Sequence, residues 1–324
     1  MRHDALGTVL LVVMTLGLTV ACAGPSKNDS EPPLPEGAEA RSLLGKPLFA
    51  PTLPEAVLED RNAKLAAALA RYESEPDNLD ALIWYGRRTA YLGRYRDAVA
   101  IYSGGLKLHP GSPELYRHRG HRYITLRKFD EAVWDLEQAA RLIEGKADVV
   151  EQDGLPNARN QPTSTLHSNI WYHLGLAYFV QADYESAKRC YLECRKVSRN
   201  PDMLCATTHW LYMTLRRLGE DDEARATLEP IRAEMDVIEN TAYHRLLLMY
   251  KGEIDPDRLL AEVRGDNGTI ETASTGFGVA NWLLVEGDRD SANALMEDLA
   301  SGAQWAAFGS IAAEADVARR RATP

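Results

Sequence analysis

The chain has 324 residues, of which 45% are hydrophobic and 26% are charged, and its formal net charge at neutral pH is -10. An acidic balance of this size argues against a nucleic-acid binder, which normally presents a strongly basic face, and is more typical of a charge that keeps a protein soluble. With only four cysteines, one of them Cys22, the sequence does not encode a disulfide framework.

Residues 1–21 have the pattern of a signal peptide. Their apolar stretch, 9–20, is shorter than the ~20 residues needed to cross a bilayer, so cleavage is favoured over a retained anchor. The sequence Leu-Thr-Val-Ala-Cys that ends at Cys22 resembles a bacterial lipobox. This resemblance implies lipidation of Cys22, membrane attachment through the N-terminal lipid, and a place in the cell envelope as an outer-membrane lipoprotein facing the periplasm. Alternatively, Ala21-x-Ala23 would serve an ordinary signal peptidase and leave no lipid.

Residues 22–57 are rich in proline and glycine and contain few aromatic residues. Such a composition cannot offset its ordering entropy, so we expect a flexible linker between the lipid anchor and the rest of the chain. Residues 58–76 are predicted to form a capping helix, because Leu65, Leu69 and Tyr72 lie on one helical face.

Residues 79–146 contain two consecutive copies of one pattern. Gly86 and Gly120 are 34 residues apart, as are Ala98 and Ala132. A period of this length is typical of stacked helical hairpins, each of which is too small to bury its own apolar face. Small residues at these positions let the two helices of a hairpin approach closely, while larger residues fill the seam between them.

A third copy, residues 168–201, is the clearest. Its motif, W-x2-L-G-x2-Y followed by A-x3-Y, is carried by Trp171, Leu174, Gly175, Tyr178, Ala187 and Tyr191. By these residues the chain resembles the tetratricopeptide-repeat family. The resemblance implies an all-α fold, a right-handed α-solenoid of tetratricopeptide helical hairpins, and a concave groove that binds another protein.

The interval between the second and third copies is larger than the period. From Gly120 to Gly175 it is 55 residues, so an insertion loop must lie between repeats two and three, and we place it at 147–167. Loops of this length inside a compact array are usually functional or disordered, and the polar composition of this loop fits both. Its candidate contact residues are Asn157, Arg159 and Asn160.

The repeats after the third are weaker. Repeats three and four together occupy 168–238, and two degenerate repeats, five and six, occupy 239–304. A C-terminal capping helix is predicted over 305–320, with its exposed face carrying Arg319, Arg320 and Arg321.

Candidate binding residues follow from the helical period, since the side of each first helix opposite its packed stripe lines the groove in this family. They are Arg87, Tyr91, Arg117, His118, His121, Tyr172, His173 and Trp210. Cationic and histidine side chains beside aromatic ones suit a protein or peptide with acidic and apolar segments. Protonation of the histidines would strengthen such binding as the pH falls through about 6.5. The carboxylate clamp of chaperone-binding relatives is absent, because its positions hold Ile83, Arg87, His118, Asn169 and His173.

Enzyme motifs do not account for the sequence. Gly276-Phe277-Gly278 begins no dinucleotide fingerprint, and Gly45-Lys46 lacks a phosphate-binding loop. We therefore expect no catalytic residue, no cofactor and no metal site. Cysteines 190, 194 and 205 are interpreted as buried small hydrophobes, while a disulfide to Cys205 stays open.

The sequence thus predicts a non-catalytic protein-interaction scaffold of the bacterial cell envelope. The alternative is a receptor for a small ligand or a cell-wall fragment, in which residues 147–167 close over the groove as a lid.

Overall fold

The computed structural model describes residues 33–265 and 269–322. The predicted signal peptide and Cys22 lie outside this part of the chain. Within it the protein is an all-α array that carries one small sheet. Among the helices of the described residues, none combines the length and the apolar character that a membrane span requires.

Two strands precede the helices: β1 (Ala38–Arg41) and β2 (Pro47–Phe49). The helices are α1 (Glu55–Ser74), α2 (Leu79–Tyr91), α3 (Tyr95–Leu108), α4 (Pro113–Thr125), α5 (Phe129–Leu142), α6 (Leu166–Val180), α7 (Tyr184–Val197), α8 (Pro201–Leu218), α9 (Asp221–Thr227), α10 (Thr241–Tyr250), α11 (Pro256–Gly265), α12 (Ile270–Glu286), α13 (Arg289–Ser301) and α14 (Phe308–Ala322). Among the described helices, α2/α3, α4/α5, α6/α7, α8/α9 and α12/α13 pack as consecutive pairs, whereas α10 and α11 each pack against α12.

The glycine of each early repeat marks the closest approach of its two helices. A Cβ atom added to Gly120 would lie 2.7 Å from Leu136, a separation that real Cβ atoms do not tolerate. A Cβ atom added to Gly86 would likewise lie too close to Tyr102, and one added to Gly175 would lie too close to Tyr191. The alanines of the second helices, Ala98, Ala132 and Ala187, are completely buried. The 34-residue spacing in the sequence is therefore the packing register of the hairpins.

The first helix of an early hairpin starts at a side-chain N-cap, and it is followed by a residue whose backbone is in the left-handed region. Asn78 and Ser112 each accept a hydrogen bond from the backbone N–H three residues later, which satisfies a donor that the helix leaves free. The turn inside each early hairpin then passes through one residue of positive φ, namely Gly93 (79°), Arg127 (63°) and Ala182 (61°). Two of these three residues carry a Cβ in a region that favours glycine.

The segment predicted to be a flexible linker contains an ordered β-hairpin. Strands β1 and β2 pair antiparallel, with Ala40 opposite Leu48. The hairpin is docked as well, because the Glu39 carboxylate accepts from the Arg96 backbone N–H at 2.9 Å and the Trp305 indole donates to the Phe49 carbonyl at 2.8 Å. The prediction is wrong for residues 38–49, since strand pairing and docking offset an ordering entropy that composition alone does not.

The C-terminal helix α14 is not a cap at the end of the array. It packs against α12, α13 and α6, and the Glu314 carboxylate forms a buried ion pair with Arg127, in the turn between α4 and α5, at 2.7 Å. Asp316 pairs with Arg217 of α8 at 2.6 Å. The expected exposed basic face is also engaged, because Arg319 donates to the Val180 carbonyl at 2.5 Å. Acidic residues of α14 form ion pairs with arginines of the earlier repeats, and these pairs hold the helix against those repeats.

The remaining two residues of that face, Arg320 and Arg321, both pair with Glu297 of α13. Around α14 runs the main apolar core, which extends from Ile124 to Val317. A smaller core fills the first hairpin around Leu82 and Tyr102 and includes Trp305.

Candidate functional site

The predicted groove residues are enclosed by the chain itself. Five of them are buried: Arg117, His118, Tyr172, His173 and Trp210. Three are partly buried: Arg87, Tyr91 and His121. Helical phase selected the inward-facing side chains correctly, but the face they share is not an open groove in this structure. Four of them, Arg117, His121, Tyr172 and His173, line a cavity, and their direct contact with a partner stays a prediction.

Two parts of the chain cover this face, α14 and the insertion loop. Phe308, the first residue of α14, lies against His121, with ring centroids 5.3 Å apart, and against His173 at 5.6 Å. From the loop, the Glu151 carboxylate pairs with Arg117 at 3.0 Å, and the Gly154 carbonyl accepts from Arg88 at 2.7 Å. The chain's own loop and α14 thus place a carboxylate and an aromatic ring against this face.

Burial keeps the inward histidines neutral. It lowers the pKa of His118 and His173 well below the usual histidine value, and the charge of Arg117 lowers both further. Burial lowers the pKa of His121 in the same way, with Arg122 as the next cause, and lowers that of His209 to about 3. These residues therefore carry no positive charge near pH 6.5, and the expected gain in affinity on mild acidification is wrong for this site.

The insertion loop is fastened across the array. Residues 143–165 join α5 to α6, and the Arg159 guanidinium forms two hydrogen bonds of 2.7 Å with Asp236. Asn157 donates to Glu239 at 2.9 Å, and Asn160 closes a turn by donating its backbone N–H to the Asn157 carbonyl. All three predicted loop residues hence make contacts within the chain.

Beneath this loop lies a cavity of about 510 Å³, which we call the inner chamber. Its wall combines hydroxyl, amide, aromatic and carboxylate groups, including Asn169, Tyr172, Tyr243, Phe308, Asp153 and Glu239. The hydroxyls of Tyr172 and Tyr243 are 3.3 Å apart. Burial, followed by repulsion from Glu239, raises the pKa of Asp153 to about 6.

A larger depression of about 1190 Å³ lies on the opposite side of the hairpins, where α5, α6 and α7 meet. We call it the outer groove. Its apolar residues include Ile143, Trp171, Leu174, Tyr178 and Leu192. Leu192 is 43% exposed, and its row on α7 otherwise holds Glu185, Arg189 and Lys196. This groove was not predicted from the sequence, although Leu192, one apolar residue in an otherwise charged row of α7, indicates an apolar surface there.

The three cysteines of the repeats, Cys190, Cys194 and Cys205, are free and buried. Burial raises the pKa of Cys190 and Cys205 to about 12 and that of Cys194 to about 11, so all three are protonated thiols at neutral pH. The open disulfide alternative is not formed. In the described ranges, no group of three or more His, Cys, Asp or Glu side chains is placed to hold a metal ion.

Comparison with known proteins returns a match at one of these hairpins. Residues 168–201 match the family model for the tetratricopeptide repeat, with the same bounds as the third repeat of the sequence. No curated protein sequence matches the chain.

Similar solved structures include MamA, at 16% identity and a TM-score of 0.42, covering 62% of this chain and 95% of that one. YrrB is described as a tetratricopeptide-repeat protein with an unusual peptide-binding site. It is 15% identical with a TM-score of 0.41, and the match covers 72% of this chain and 99% of that one. A tetratricopeptide repeat protein from Parabacteroides merdae is 17% identical, with a TM-score of 0.45 and coverages of 75% and 86%. In its described residues the chain is an all-α array built largely of helical hairpins, and its third hairpin matches the tetratricopeptide-repeat model.

Proposed function

We propose that this protein is a non-catalytic scaffold that binds another protein at the outer groove. The observation that carries the proposal is the groove itself, in which Trp171 and the exposed Leu192 present apolar surface between α5 and α7. Protein-binding surfaces are recognised by concave apolar patches with polar rims, and repeat arrays present such patches along their length. Part of the inward face that the family would use is already covered by Phe308 of α14.

Site-specific photo-crosslinking tests this assignment. We expect a photoreactive residue at position 192 of the full chain, expressed in its own cells, to form an adduct with a partner protein. Leu108, which is 57% exposed on α3 and lies outside the outer groove, is the matched control position. Adducts from position 108 alone, or from neither position, would show that the outer groove does not bind a protein.

We further propose that the protein is held in the bacterial cell envelope by a lipid on Cys22. The support is the lipobox-like sequence, which lies outside the described residues. Cys22→Ala is expected to block precursor processing and to release the protein from membranes. Incorporation of a fatty-acid analogue that persists in this variant would refute the lipid assignment, and normal processing would favour cleavage at Ala21-x-Ala23.

A second candidate function is a receptor for a small ligand such as a cell-wall fragment. It is favoured by the insertion loop, which is fastened over a chamber whose volume lies within the 300–1,000 Å³ common for ligand sites. Soluble cell-wall fragments should then raise the thermal midpoint. Arg159→Asp should weaken this effect by loosening the loop, and the exchanged pair Arg159→Asp with Asp236→Arg should restore it. A midpoint unchanged by every fragment would remove this candidate.

A further inference from the structure

The outer groove carries information about the chemistry of its ligand. Resting on the proposed scaffold function, we propose that the segment bound in this groove is an amphipathic helix with acidic residues flanking its apolar face. Three features of the groove support this: an apolar floor, a basic rim in which three of five bases lack a carboxylate partner among the described residues, and walls made of two helices.

The floor is apolar and lies between helices of equal length. Trp171 and Tyr178 of α6 line it, Ile143 closes one side, and Leu192 stands on the other. Both walls, α5 and α7, have 14 residues, which corresponds to about 21 Å at the rise of an α-helix. A bound helix of similar length would present one apolar stripe to such a floor, as in other helix-in-groove complexes.

The rim is basic, although the protein as a whole is acidic. Five bases line the groove, namely Arg141, Lys146, Arg189, Arg195 and Lys196, against three acids, Glu137, Glu144 and Glu193. The whole chain carries an excess of negative charge, with a formal net value of -10. A locally basic surface such as this rim therefore favours an acidic partner that the net charge of the protein would repel.

Three of these bases have no acidic partner in the part of the chain that the structure describes. Arg141 pairs with Glu137 and Lys196 with Glu193, but among the described residues no carboxylate lies within 4.0 Å of Lys146, Arg189 or Arg195. Arg189 donates only to the Ser186 hydroxyl, at 2.7 Å. Arg195 is partly buried, and burial lowers its pKa with no neighbouring carboxylate to oppose the shift.

A partly buried guanidinium without a carboxylate partner is poorly solvated. An acidic side chain that pairs with it therefore gains more binding free energy than one that pairs with a fully hydrated guanidinium. The same bases would repel a basic segment. The basic rim thus favours a partner segment of negative charge, and the apolar floor supplies contact area.

Designed peptides test the proposal on the full chain. The probe is an ~18-residue helix, long enough to be helical, with leucines on one face and glutamates beside them. Two matched peptides carry lysine or glutamine in place of every glutamate. Fluorescence anisotropy should show the glutamate peptide binding at least about tenfold more tightly than the lysine peptide, and this ratio should shrink at higher salt.

Variants of the groove provide the second arm. Arg189→Glu is exposed and should fold normally, and together with Lys146→Glu it should weaken the glutamate peptide by about tenfold or more while improving the lysine peptide. Arg258→Glu, whose side chain is 72% exposed on α11, is the matched control and should change neither. Leu192→Ala should weaken both peptides without altering the salt dependence, because apolar burial is not screened.

The outcomes separate this proposal from the scaffold function. Equal affinity for the three peptides, or a glutamate preference that survives the charge reversals, would overturn the acidic helix. If position 192 still forms protein adducts in that case, the scaffold function stands with a different partner chemistry. Binding to vesicles of anionic lipid, without binding to the glutamate peptide, would also overturn it and would assign the basic rim to a membrane surface.

Discussion

Removal of the Glu314 carboxylate tests whether α14 is an integral part of the array. Glu314 and Arg127 have side chains that are 2% and 3% exposed, and two hydrogen bonds of 3.1 and 2.7 Å join them. The same carboxylate accepts from the Leu43 backbone N–H at 2.6 Å. Glu314→Ala would leave a buried guanidinium without a counter-charge, a change that typically costs about 3–5 kcal/mol.

The lower part of that range applies here, since Arg127 keeps hydrogen bonds to the Thr125 and Trp305 carbonyls at 2.7 and 2.8 Å. We therefore expect Glu314→Ala to lower the free energy of unfolding by about 3 kcal/mol, out of the roughly 5–15 kcal/mol of a typical domain. Urea denaturation followed by tryptophan fluorescence measures this loss as a shift of the midpoint.

The exchanged and control variants make the reasoning refutable. Replacement of both partners by methionine should recover most of the loss, because a buried ion pair can be replaced by apolar side chains at little cost. Glu193→Ala, which breaks an exposed pair with Lys196, should change stability by less than about 1 kcal/mol. A Glu314→Ala protein as stable as this control, or a double variant no better than the single one, would show that the pair does not hold α14 in place.

Three further predictions concern the hairpins and the buried histidines. Ala132→Leu should cost about 1–3 kcal/mol by overpacking a completely buried helix crossing, and an unchanged thermal midpoint would contradict the packing register. Ala182→Gly should raise the free energy of unfolding by about 0.5–1 kcal/mol, because φ at this turn is 61°; chemical denaturation measures it, and a loss of stability would contradict the strain argument. His209 has a folded-state pKa of about 3, below its unfolded value near 6.5, so its contribution is complete above pH 6.5 and is lost as the pH falls toward 3. Between pH 7 and 5 this loss amounts to about 2 kcal/mol, and His209→Gln should flatten the pH dependence of urea unfolding by that amount; an equally steep dependence would refute the assignment.

Local and periodic features were accessible from the sequence. Gly86 and Ala98 mark a helix crossing within one hairpin, and their recurrence 34 residues later, at Gly120 and Ala132, predicts both the hairpins and their register. The third repeat was placed at residues 168–201, the bounds that the family match also gives. Helical phase likewise selected inward-facing side chains, because phase depends only on neighbours along one helix.

Features that depend on distant segments were not accessible. Arg127 and Glu314 are 187 residues apart, and no period links them, so the inward position of α14 could not be read from either segment alone. The β-hairpin has the composition of a linker, and its order comes from docking on residues such as Arg96 and Trp305. The outer groove arises from the relative placement of three helices, and the residue pattern of one helix indicates only the faces of that helix.

The contacts of α14 also set the order in which the protein can complete its folding. Leu43 and Glu314, which share a hydrogen bond, are 271 residues apart. In a simple repeat array each unit needs only its neighbours, so folding can spread from any point. Here the hairpin at residues 38–49 lacks its contact with Glu314 until α14 exists, and at about 5–20 residues per second the synthesis of that helix takes on the order of 15–50 s longer. A chain that stops before α14 would leave Arg127 without its counter-charge and the Leu43 N–H without the Glu314 carboxylate.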